Sequence, residues 1–240
     1  MTAAATAEMG GAAVDCDWAG VQASLDARGY AVLPGLLAAP ACHTLVARYD
    51  DAHRYRSRVV MARHGFGSGE YQYFNYPLPE SLQTLRTALY PRLVPIANRW
   101  AGLMRANTCY PPTLDAFLER CHAAGQTRPT PLILKYGVGD YNCLHQDLYG
   151  EQVFPLQVAA LLSNPGEDFS GGEFVMTETG SAEQLAHVVP LRQGDAVVFT
   201  VNQRPVKGVR ASRRVAMRHG VSRVRTGHRY TVGLIFHDAL

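Results

Sequence analysis

Pro131-Leu132-Ile133-Leu134-Lys135-Tyr136-Gly137-Val138-Gly139-Asp140-Tyr141-Asn142-Cys143-Leu144-His145-Gln146-Asp147 is the stretch on which the reading of the fold turns. Pro131 opens an apolar run of strand length, and Gly137-Val138-Gly139-Asp140 has the residues of a tight turn. From Tyr141 the chain reads as extended. Side chains then repeat every two residues, which predicts Cys143, His145 and Asp147 on one face. His145 and Asp147 would project into the same space, as two ligands of one ion do. His-x-Asp alone is weak, since nine His and eleven Asp in 240 residues give roughly 0.4 such tripeptides by chance. Its neighbourhood carries the argument.

Working outward, short apolar runs recur between Gly/Pro turns at residues 132–136, 154–163, 173–177, 196–201, 214–218 and 230–236. That spacing predicts a jelly-roll or cupin-like double-stranded β-helix. N-terminal to it, helices are expected at residues 21–28, 40–54, 79–104 and 113–124, with a short strand at residues 30–33. Pro91 and Pro95 should break or kink the third helix. The expected fold class is therefore α+β: a tail over residues 1–17, mainly helical support over residues 18–128 and a barrel over residues 129–240, in one compact domain.

A third ligand must come from His187, His219, His228 or His237. Only His219 precedes a loop and a new apolar strand with a cation, Arg229, ten residues on. Ten past His187 is Val197, ten past His228 is Asp238, and His237 is too near the C-terminus. His145, Asp147 and His219 would fill one face of an octahedral metal and leave the other open, as in non-haem Fe(II) oxygenases. Arg229 can grip the far carboxylate of a dicarboxylic co-substrate through a two-point contact. Thr231, on the same strand face, can add a hydroxyl. The expected cofactors are Fe(II) and 2-oxoglutarate, with O2 as co-substrate and ascorbate as a stimulant. The expected reaction hydroxylates a C–H bond and releases succinate and CO2.

The pattern Tyr136, Gly139, His145-x-Asp147, His219-x-Val221, Val224, Gly227 and Arg229-x-Thr231 resembles the Fe(II)/2-oxoglutarate dioxygenase superfamily. The His219–Arg229 spacing is similar to its prolyl-hydroxylase-like branch. The run from Gly139 to Gly150 resembles a bacterial family labelled as an oxygenase for oxidative demethylation of damaged DNA. Phe154-Pro155-Leu156-Gln157, Gly171-Gly172-Glu173-Phe174, Arg218-His219-Gly220-Val221-Ser222 and Ile235-Phe236-His237-Asp238 continue the likeness. It covers the chain from about residue 25. The resemblance implies that Tyr136 supports the co-substrate. Between Thr177 and Val188, where that family carries a basic stretch, this chain reads Glu178-Thr179-Gly180-Ser181-Ala182-Glu183-Gln184-Leu185, with no Arg.

Composition bounds the substrate less tightly. No run of about 18 apolar residues is present, so no spanning helix is expected. Five cysteines without metal-site spacing suggest reduced thiols in the cytoplasm. Residues 192–229 carry ten Arg/Lys against Asp195 alone, and are expected to form a basic rim that attracts either a phosphate backbone or the dicarboxylate. Arg54 to Tyr76 interleaves Arg with Tyr and holds Gly65, Gly67 and Gly69. It reads as a mobile loop, suited to stacking bases, to covering a smaller substrate, or to plain core packing. Three functions stay open: oxidative demethylation of alkylated, single-stranded nucleic acid; hydroxylation of a prolyl or other peptidyl residue or of a small metabolite; and a non-catalytic jelly-roll binding module.

Overall fold

The computed structural model describes residues 16–148, 150–179, 184–208 and 211–240. Most of the expected N-terminal tail, Tyr149, and Gly180 to Glu183 of the acidic interval lie outside them.

Helix α1 (Trp18–Arg28) starts where the Asp17 side chain accepts the Gly20 N–H and stops at Gly29 in the left-handed region. Strand β1 (Tyr30–Leu33) follows. Helix α2 (Ala39–Ala47) is shorter than expected, ending before a 3-10 turn at Ala52–Arg54. Helix α3 (Glu80–Leu103) runs through Pro91 and Pro95 without a break, which leaves a kink as the only form the expected disturbance can take. The two prolines are four residues apart on the exposed side, so their missing N–H groups fall where water serves the freed carbonyls. Leu82, Leu85, Leu89, Leu93, Ile96 and Trp100 bury the opposite face and hold the helix together. Helix α4 (Leu114–Ala123) is capped by Thr113.

Two antiparallel sheets form the barrel. The larger has seven strands in the order β1, β11 (Ala196–Thr200), β7 (Leu156–Leu161), β15 (Arg229–Leu234), β5 (Leu132–Tyr136), β4 (Glu70–Phe74) and β2 (Tyr55–Val60). The smaller runs β10 (Leu185–Val189), β9 (Phe174–Thr179), β13 (Ser212–Val221), β6 (Tyr141–His145) and β3 (Gly67–Ser68), with β12 (Gln203–Lys207) paired to β13. A separate ribbon joins β8 (Phe169–Gly171) to β14 (Val224–Gly227). The residues from Arg54 to Tyr76 are thus not one loop: β2 and β4 extend the large sheet and β3 pairs with β6.

Period-2 burial explains the layering. On the large sheet Ile133, Val158, Ala160, Val198, Val232 and Leu234 share one core with the helices. Their neighbours Leu134, Tyr136, Ala159, Leu161 and Phe199 turn inward, into two smaller clusters between the sheets. The helices buttress mainly the large sheet, and α1 and α3 also reach β12 of the small one.

His237, assigned no partner above, belongs to the core. It is fully buried, and its Nδ1 accepts the Phe154 N–H at 3.2 Å. Burial, and then the nearby Arg86 charge, push its pKa down to about 4. The unfolded chain takes up a proton near pH 6.5 that the folded chain refuses until near pH 4. The folded-state pKa is the depressed one, so stability is full above pH 6.5 and falls as pH drops toward 4, by roughly 3 kcal/mol from this group. His237→Gln should flatten urea-unfolding stability across that window; an unchanged slope would remove His237 from the account.

Candidate metal and co-substrate site

His219 lies on β13 between β6 and β9, opposite His145 and Met176. Phe199 packs on its ring at 4.6 Å and Phe174 stacks on it at 5.9 Å, fixing the imidazole plane. His145 closes β6, and Asp147 lies two residues past the strand end. His145 Nε2 is 3.4 Å from Asp147 Oδ1, and His219 Nε2 is 3.5 Å from Asp147 Oδ2. One donor atom from each of the three falls within 4.8 Å of the others. Donors ~2.1 Å from one ion on a shared octahedral face stand ~3 Å apart, so these three fit a metal with little movement.

Their protonation suits that use. The Cys143 carbonyl lies 2.8 Å from His145 Nδ1; a carbonyl only accepts, so Nδ1 carries the hydrogen and Nε2 keeps its lone pair. Burial works to raise the Asp147 pKa, but the His145 and His219 imidazoles beside it hold it well below the usual carboxylate range. Burial pushes the His219 pKa down, favouring the neutral ring that ligates.

The simple alternation expected for β6 does not hold. His219 pairs with His145 but Val221 pairs with Asn142, so three steps of β6 oppose two of β13. This bulge turns Asn142 as well as His145 into the cavity and leaves Cys143 exposed, off its wall. Gly220 makes the bulge possible. A Cβ there would meet the Asn142 carbonyl oxygen at 2.7 Å. Gly220→Ala should force the strands apart, lowering stability by ~1–3 kcal/mol and weakening metal binding. An unchanged melting curve and metal affinity would show the fit to be looser than this.

At the other end of the cavity Arg229 pairs with Tyr136 across β15 and β5. The arginine is 2% exposed; its Nη1 donates to Thr231 Oγ1 at 2.6 Å, and its Nε has no partner. Among the described residues no carboxylate forms an ion pair with it. Burial pushes its pKa down to about 10, which leaves it charged at neutral pH. The Tyr136 ring lies 5.6 Å from the guanidinium, and its hydroxyl, beside Asn142, is buried without a hydrogen bond of normal geometry. An unmatched buried cation flanked by two hydroxyls, in a cavity that also holds the three donors, fits a chelating dicarboxylate such as 2-oxoglutarate.

Of the ten basic residues expected in a rim, two are drawn inside: Arg204 is buried against Glu178 and Arg229 is inside the cavity, while Arg214 donates to the Met104 carbonyl and Arg223 lies over the Tyr141 ring. Arg210 lies outside the described residues. Sequence reasoning also missed Gln157, Phe174 and Phe199, which line the same cavity. For Gln157 a signal existed: it is the one polar residue in an otherwise apolar strand.

The sequence over residues 69–239 matches the model of a family described as an oxygenase catalysing oxidative methylation of damaged DNA. The chain belongs to this oxygenase family. Two Mycobacterium tuberculosis proteins, from strains H37Rv and CDC 1551, are each 49% identical over 167 residues, 69% of the oxygenase and 72% of their own length. The fold is similar to that of a Pseudomonas putida prolyl-4-hydroxylase (TM-score 0.57, 17% identity, 92% of this chain and 100% of that one). It is also similar to a Trichoplax adhaerens prolyl hydroxylase in complex with a hypoxia-inducible-factor peptide (TM-score 0.55, 14% identity, 99% of this chain and 94% of that one). Family, fold and donor set agree on an Fe(II)- and 2-oxoglutarate-dependent oxygenase with a double-stranded β-helix. The binding-module reading does not survive the family assignment. Among the described residues of the oxygenase no helix is long and apolar enough to cross a membrane.

Proposed function

We propose that the oxygenase removes an alkyl group from a base of single-stranded nucleic acid, with His145, Asp147 and His219 holding Fe(II) and Arg229, Thr231 and Tyr136 holding 2-oxoglutarate. The carrying observation is Arg229: a buried guanidinium with an unpartnered Nε and no ion pair among the described residues is costly until a dicarboxylate lies against it. Bound Fe(II) and 2-oxoglutarate supply the oxidation, which consumes O2, releases succinate and CO2, and leaves one oxygen atom on the substrate C–H. The chain's part is positional. Asp147 stays ionised between two imidazoles, His145 offers Nε2, and the Tyr136 ring keeps water from the arginine. A hydroxylated N-methyl group then falls off as formaldehyde.

The family description supports the nucleic-acid substrate, and so does the sheet edge at the cavity. Tyr71 and Tyr73 line it, and Arg56 lies 4.3 Å over the Tyr73 ring, an Arg–aromatic grouping suited to a base beside a phosphate. A cytoplasmic setting for this reading rests on the five free cysteines. The likeness to prolyl hydroxylases favours peptidyl or metabolite hydroxylation as the second reading.

Succinate formation separates the two, measured with N-methylated single-stranded DNA, its unmethylated control and no substrate. Stimulation by the methylated strand alone, with formaldehyde in step, is expected; equal slow turnover in all three would move the substrate to peptides or metabolites. Arg229→Ala should weaken anaerobic 2-oxoglutarate binding by ~2–5 kcal/mol, because the pair is desolvated. Wild-type affinity in that variant would refute the arginine's role.

A further inference from the structure

Strand β7 is buried at every residue, covered by helices on one face and lining the barrel on the other. Such a strand is ordinarily apolar throughout. Gln157 departs from this. It is 5% exposed, lines the cavity, and its Nε2 is buried with no hydrogen-bond partner. A buried amide donor left unmatched destabilises the free protein, and becomes favourable when a bound molecule supplies an acceptor.

That molecule is not the co-substrate. Thr231 faces Leu161 and Gly233 faces Ala159, so the register carries Gln157 still further from Arg229 along the sheet. The four residues from Leu161 to Gln157 span ~13 Å of strand, longer than a five-carbon diacid anchored at Arg229 and Thr231. Gln157 instead stands opposite Phe199, the residue packed on the His219 ring, at the end of the cavity nearer the metal donors. Three strands along the same sheet, Tyr71 and Tyr73 on β4 also line the cavity, their rings edge to face at 5.4 Å, giving it flat aromatic surfaces.

We propose that Gln157 is a substrate-specificity residue whose amide pairs with the acceptor-bearing edge of the base to be oxidised, while one of the two tyrosine rings, Tyr71 or Tyr73, takes a face of the base. An amide places a donor and an acceptor side by side, the pattern that matches adenine at N7 and N6. Aromatic walls accept any base, so the choice among bases falls to Gln157. The inference rests on the nucleic-acid reading above and names how that substrate is recognised.

The test uses wild-type enzyme and Gln157→Met, which keeps the side-chain length and removes the amide. Each is given single-stranded DNA carrying N1-methyladenine, or the same base with ring N7 replaced by C–H. Gln157→Met should raise KM for the methyladenine strand by ~10–100-fold, while its anaerobic 2-oxoglutarate affinity stays. The wild type should prefer the N7-bearing strand by a similar factor, and the variant should lose that preference. An unchanged KM in the variant, or a wild type that treats the two strands alike, overturns the role of Gln157 and leaves the nucleic-acid reading standing. A wild type that no methylated strand stimulates overturns the nucleic-acid reading and the base as Gln157's partner together.

Discussion

His219→Ala is expected to bring methyl-strand-dependent succinate formation below detection, a loss of at least ~10³-fold, since groups that merely orient metal ligands already cost ~10–100-fold when removed. The imidazole stands on the central strand of the small sheet, opposite the His145 pair position, with its plane set by Phe174 and Phe199. Removing it leaves one imidazole and one carboxylate, and Asp147 loses one of the two imidazoles that keep it ionised. Co(II) absorption provides a readout independent of turnover: the variant should bind the ion far more weakly, or not at all, while circular dichroism shows the barrel intact. Retained succinate formation at the wild-type rate would sink the assignment of His219 to the metal.

Asp238→Ala should have the largest effect on stability, ~3–5 kcal/mol, because it strands a charge inside the protein. Arg86, on α3, and Asp238 are both fully buried and pair at 3.0 Å. Tyr76 donates to the same carboxylate at 3.0 Å, and His122 Nε2 stands 2.9 Å from it. Arg86 also donates to the carbonyls of Ile235 and Phe236, tying the chain beyond β15 to the helical layer. Without the carboxylate, the guanidinium remains buried with neutral partners only. For a chain of this length the loss corresponds to a melting temperature lower by roughly 10 °C. Asp238→Ala paired with Arg86→Met should lose less than Asp238→Ala alone, since the second change removes the stranded charge. If Asp238→Ala melts within a degree or two of wild type, the cluster is not holding the helices to the sheet.

Those two clusters were not equally legible. His145, Asp147, His219 and Arg229 could be picked out because strand periodicity and chain spacing are local quantities, and metal chemistry tolerates few donor sets. The Ile235-Phe236-His237-Asp238 run was visible as a motif, yet nothing local says that Asp238 meets an arginine 152 positions earlier. The stretch from Arg54 to Tyr76 was misread for the same reason. Its β4 is fixed by pairing with Leu132–Tyr136 and its β3 by pairing with β6, contacts between distant segments, whereas its own glycines and charges resemble a loop. The prolines of α3 misled in the opposite direction: helix propensity is a weak prior, and a buried face of Leu, Ile and Trp outweighs two lost hydrogen bonds.

Taken alone, the sequence determined the reaction class and the barrel and singled out the four residues of the proposed site, because each depends on alternation along a strand or on spacing within one short run. Tertiary structure decided what no spacing encodes. The bulge opposite Gly220 determined that Asn142, not Cys143, faces the cavity with His145. The packing of distant segments drew Arg204 against Glu178, left Arg229 Nε without a hydrogen-bond partner, and buried the Gln157 Nε2 without one. The physical reason is the same in each case. Whether a polar group is matched depends on which other segment closes over it, and only the folded chain brings those segments together.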